Sequence, residues 1–134
     1  MASETFSDID AATRAQIDAD LAAASTRGIS GGIDDIVESF ESVVTEFLSL
    51  DAERKRSYPR GETARIFGTA LGDALVRDHN FAWRLLSDDY GTDLVVARGE
   101  GSEEEKYTAP IVVVDLRFDD EEPGRLRAFI TQFL

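Results

Sequence analysis

A change of hydrophobic period most narrows what this chain can fold into. Before about residue 80 the apolar residues recur every three or four positions, and from residue 81 they alternate. The first pattern buries one face of a helix and the second one face of a strand. Helices therefore come first and a small sheet follows.

The clearest helix lies in "GIDDIVESFESVVTEFLSL". Ile33, Ile36, Val37, Phe40, Val43, Val44, Phe47 and Leu48 form one stripe, with Asp34, Asp35, Glu38, Glu41 and Glu46 on the remaining surface. Burying that stripe is worth about 1.5–3 kcal/mol per large side chain. A first helix is expected over 7–25, with Ser7 as N-cap and Asp8 and Asp10 at the positive end of its dipole. "STRGISGG" separates the two. A third helix is expected over about 62–79. Its Gly68 and Gly72 lie one turn apart, and each costs roughly 1 kcal/mol against alanine, so another backbone should approach closely there.

The alternating part begins with "FAWRLLS", turns at "DDYGT", and returns as "DLVVAR". "YTAPIVVVDLRF" reads as a third strand, with Val112, Val114, Leu116 and Phe118 on one face and Pro110 near its start. "RLRAFITQFL" closes the chain with a helical stripe of Leu126, Phe129, Ile130 and Phe133. The expectation is a single α+β domain over residues 1–134: N-terminal helices, a three-stranded antiparallel meander, and a C-terminal helix packed on the body. A chain of this size buries about two-thirds of its unfolded surface and can fold alone.

Charge is segregated. The formal net charge is -13: residues 1–53 carry -10, residues 54–77 carry +4, and residues 78–134 carry -7. Long-range repulsion makes a nucleic-acid partner an unfavourable one. No cysteine is present, which removes disulfides, thiolate metal sites and a cysteine nucleophile. No apolar run reaches membrane-spanning length, and the N-terminus lacks the pattern of a signal peptide. The expected location is the cytoplasm.

The stretch "FGTALGDALVRDHNFAWRLLSDDYGTDLVV" resembles a bacterial family catalogued as domain of unknown function 3806. The residues that carry the resemblance are Gly68, Gly72, Trp83, Asp89, Tyr90, Gly91 and Asp93, with Pro110, Ile111 and Arg117 at later positions of the pattern. It covers about residues 61–134. It implies an α+β fold with a small antiparallel sheet, and it implies no activity.

Two charged regions are the candidate sites. The basic island holds Arg54, Lys55, Arg56, Arg60 and Arg65. Its structural reading is that cations suit the negative end of the preceding helix. Its functional reading is a docking patch for an acidic partner or a small anion, with Tyr58 as a stacking surface. The acidic rim holds Asp88, Asp89, Asp93, Asp119, Asp120, Glu121 and Glu122. In a meander these meet at one end of the sheet, where they stay solvated, face a basic protein or hold a divalent cation. His79 is the only histidine, too few ligands for zinc and without a triad around it. No catalytic set and no cofactor is read.

The preferred expectation is a small acidic protein-interaction module, of adaptor, chaperone or immunity type, whose partner is another protein. The alternative is a small-ligand or divalent-cation binder, or a hydrolytic enzyme, working from the carboxylate-rich end of the sheet. A pocket of Trp83, Arg84 and Tyr90 would serve it. A homodimer through the glycine stripe or a sheet edge is a third possibility.

Overall fold

The computed structural model describes residues 4–134. The chain is α+β. Its elements are β1 (Thr5–Asp8), α1 (Ala11–Thr26), α2 (Ile33–Leu48), α3 (Ala52–Ser57), α4 (Arg60–His79), β2 (Ala82–Asp88), β3 (Gly91–Arg98), β4 (Lys106–Thr108), α5 (Pro110–Leu116) and α6 (Arg125–Phe133). A single 3-10 turn, Arg117–Asp119, follows α5. The four strands lie in the order β1-β2-β3-β4, each pair antiparallel.

The long helix α4 is the axis of the core. Eleven of its residues are buried, among them Ile66, Phe67, Leu71 and Leu75. On one side α2 brings Phe40, whose ring meets Phe67 edge-on at 5.2 Å and Phe118 at 5.5 Å. The C-terminal helix α6 docks through Leu126 and Ile130. α1 docks through Ile17 and Ala24. The negative end of α4 is closed by Asn80 in the left-handed region at φ 62° and by Arg98, which donates to the carbonyl of His79 at 2.8 Å. His79 therefore contributes its backbone to a helix cap.

The glycine stripe has its reason here. A Cβ on Gly68 would sit 2.5 Å from the Cα of Ile111, so the backbone of α5 lies directly on α4. A Cβ on Gly72 would collide with the indole of Trp83 and crowd Pro110. The expected close approach is present, and it is made within the chain. The stripe is consequently covered and offers nothing to a second copy.

Three expectations are corrected. Residues expected to open the first helix form β1 instead, and α1 starts later, capped by Asp10, whose carboxylate accepts the Thr13 N–H at 2.7 Å. The exposed edge of β2 accounts for this: Phe6 pairs across to Leu86, and Ser7 to Leu85. The predicted third strand survives only as β4. From Pro110 onward it is helix, with the proline at the first helical position, where its missing N–H costs nothing. Val114 and Phe118 are buried while Val112 and Leu116 are exposed, which is the helical period rather than the strand's. Finally, β1 gives the sheet a fourth strand.

Candidate functional site

The structure divides the basic island in two. Asp51 caps α3, accepting from the Arg54 N–H at 2.8 Å. Arg54, Lys55 and Arg56 occupy the last turn of α3, and no residue of this helix is buried. The helix dipole they complement is that of α3 itself, since α2 ends at Leu48. Among the described residues Arg54 has only the Asp51 carboxylate nearby, at 4.0 Å, and Lys55 lies 5.7 Å above the ring of Phe47. Tyr58 is not a stacking surface. It is half-buried, its ring packed edge-on against Phe47 at 5.3 Å and tilted on Phe118 at 5.8 Å.

Arg60 and Arg65 instead reach across to carboxylates on other elements. Arg60 grips two carboxylates: Nε donates to Asp115 Oδ1 at 2.9 Å, and its two Nη groups donate to Asp119 at 2.7 and 2.8 Å. One Nη also reaches the Asp115 carbonyl at 3.0 Å. This fork ties the start of α4 to the end of α5. The bonds to Asp119, then those to Asp115, push the guanidinium further above its already high range. In return the Asp119 carboxyl is held below the usual carboxylate range. Arg65 Nε donates to Asp20 Oδ1 at 3.0 Å.

Four of the seven residues of the acidic rim are similarly engaged. Asp88 accepts its own turn's Tyr90 N–H at 2.8 Å. Asp119 belongs to Arg60, Asp120 lies 3.2 Å from Arg117, and Glu122 lies 3.2 Å from Arg125. Asp89, Asp93 and Glu121 are exposed. The strand that was expected to carry Asp119–Glu122 to the hairpin end is α5 and its 3-10 turn, so the topological reason for gathering the seven is gone. Among the described residues no group of three or more carboxylate or imidazole side chains is placed to hold a metal ion. The pocket of Trp83, Arg84 and Tyr90 does not form either. Trp83 is buried against α4, Arg84 points to the opposite face of the sheet, and Tyr90 is 93% exposed at the hairpin tip.

A cleft that sequence reasoning missed lies between α1, α4 and the inner face of the hairpin. Its volume is about 420 Å³. Ile17, Leu85, Leu94 and Ile111 form the apolar walls. At its floor is Asp20, 3% exposed, whose Oδ1 accepts from Gln16 Nε2 and Arg65 Nε, both at 3.0 Å. Among the described residues its Oδ2 has only the Thr69 hydroxyl, at 3.5 Å. The signal was readable: an aspartate at Asp20 shares the stripe of Ile17 and Ala24, where an unpaired charge would be costly. A hollow of about 550 Å³ beside Arg98 and Lys106 is less promising, because both cations are engaged. Lys106 donates to the Phe133 carbonyl at 2.7 Å and Arg98 to that of His79.

The family described as domain of unknown function (DUF3806) matches residues 51–129, more than half of the chain. The chain belongs to that family. No curated protein matches it, and no solved structure does. Within DUF3806, the residues that carried the resemblance fall into place. Gly68, Gly72, Trp83, Pro110 and Ile111 meet at one junction, where α5 and β2 press on α4. That part of the pattern is a packing motif. The DUF3806 match begins at α3 and includes Arg65 and Thr69, whereas Gln16 and Asp20 lie before it.

Proposed function

We propose that this DUF3806 protein is a protein-interaction module that docks an acidic segment of another protein on α3. One observation carries the reading: α3 orders six residues and buries none of them, yet presents Arg54, Lys55 and Arg56 together. Ordering a residue costs about 1–2 kcal/mol of backbone entropy, and a helix without core contacts recovers little of it. On α4, Arg60 and Arg65 tie elements together; on α3 the arginines face outward. In a molecule of net charge -13 this is where an acidic partner approaches with least repulsion, and opposite charge speeds encounter. A convex helix suits a protein surface better than a small anion, which needs enclosing donors.

The test is affinity capture from the native cell extract with wild type and an Arg54→Glu, Lys55→Glu, Arg56→Glu variant, both checked for folding. The purified partner is then titrated at several salt concentrations. The expected result is a partner with an acidic segment, retained by wild type, lost by the variant, and weakened by salt. A partner retained equally by both proteins contradicts the proposal.

A further inference from the structure

The cleft between α1, α4 and the hairpin has the walls and the floor of a small-molecule site, independently of any partner on α3. The volume of about 420 Å³ is within the range of ligand pockets. The walls are aliphatic, from Ile17, Leu85, Leu94 and Ile111. A carboxylate buried at the floor carries unused capacity. Among the described residues Asp20 Oδ2 holds a single long contact, 3.5 Å to Thr69 Oγ1, where a good O–H···O bond is about 2.7 Å. Beside it, Arg65 spends Nε on Asp20, and among the described residues no protein acceptor takes its Nη groups. Its side chain is 45% exposed, so those donors are open to the cleft mouth.

An acceptor and a donor therefore stand side by side above an apolar hollow. The Asp20–Arg65 pair at the floor is neutral in sum, and the cleft's other carboxylate, Asp10, is already engaged as the N-cap of α1, so the complement at the floor is neutral as well. An anion would face Asp20 and the net charge of -13; a cation would face Arg65. We infer that the cleft binds a small neutral molecule with an apolar body and an adjoining N–H donor and C=O acceptor, that is, a primary amide, lactam or imide. The N–H donates to Asp20 Oδ2 and the carbonyl accepts from an Arg65 Nη, while the body lies on Leu85, Leu94 and Ile111.

The test compares three probes that share one phenylalkyl body on the full chain: 3-phenylpropanamide, 3-phenylpropanoate and 3-phenylpropylamine. Nitrogen–proton correlation spectra follow the Gln16 side-chain amide, the Arg65 Nε–H and the Thr69 backbone. The amide should saturate these signals with a Kd on the order of 1 mM, as expected for so small a ligand. The acid and the amine should bind at least about tenfold more weakly, because the acid sets its charge against the buried Asp20 carboxylate and the amine sets its charge beside the Arg65 guanidinium while offering it no acceptor. Asp20→Asn should weaken the amide. Since that variant removes a buried charge and risks misfolding, Ala12→Trp, at an exposed position on the rim, fills the hollow and should abolish the shifts. Absence of saturable shifts with the amide, equal or tighter binding of the acid or amine, or shifts that survive Ala12→Trp would each overturn the inference.

Discussion

α3 and α4 are consecutive helices separated only by Tyr58 and Pro59, and both carry arginines. They use them in opposite ways. α4 buries eleven residues, and its Arg60 and Arg65 each reach across to carboxylates on other elements. α3 buries nothing, and among the described residues its cations have no strong intramolecular partner. A cluster of basic residues in a sequence is therefore not one object. The tertiary partners decide which members belong to the scaffold and which remain for another molecule.

The contrast breaks most severely in the core side of α4. Phe67→Ala empties the contact with Phe40 and should cost about 3–5 kcal/mol in a denaturant titration, against a near-neutral Ser57→Ala on α3. Next are two glycines of the same helix. Gly68→Ala should destabilise by about 1–3 kcal/mol, because its Cβ meets the α5 backbone. Gly61→Ala, which meets nothing within 4 Å, should stabilise by up to about 1 kcal/mol. Thermal melts of the pair should move in opposite directions.

A smaller effect separates the arginines. Arg60→Gln should cost about 1 kcal/mol, discounted because Asp119 is largely exposed. Its pH dependence has a definite sign. The bonds from Arg60 depress the folded-state Asp119 below its ordinary 3.8. The contribution is then fully present above that value and lost as pH falls through the lower folded-state value. The melting-temperature gap between wild type and Arg60→Gln should hold level from about pH 8 to pH 5 and narrow below about pH 4 as the Asp119 contribution is lost. The smallest change in stability is expected on α3: Arg54→Gln with Arg56→Gln should shift it by about 0.5 kcal/mol or less.

Much of this was legible in the sequence where the interactions are local. The α2 stripe is complete in itself, and the spaced glycines of α4 announced a close neighbour. What was not legible depends on distant segments. β1 contains one large apolar residue, Phe6, and exists because β2 offers an edge. Val112, Val113 and Val114 favour a strand by propensity, yet contact with α4 at Gly68 holds them in a helix. The basic island was visible as composition, but its division required the positions of Asp20, Asp115 and Asp119. The cleft was hinted at only by an aspartate on a buried stripe.

The most direct test of this division is a calorimetric titration of the captured partner into wild type, the α3 triple glutamate variant and Arg65→Gln. The account predicts that the α3 variant loses at least about tenfold in affinity while Arg65→Gln binds like wild type, because only the α3 cations face a partner. Unchanged binding by the α3 variant, or a loss confined to Arg65→Gln, would contradict it.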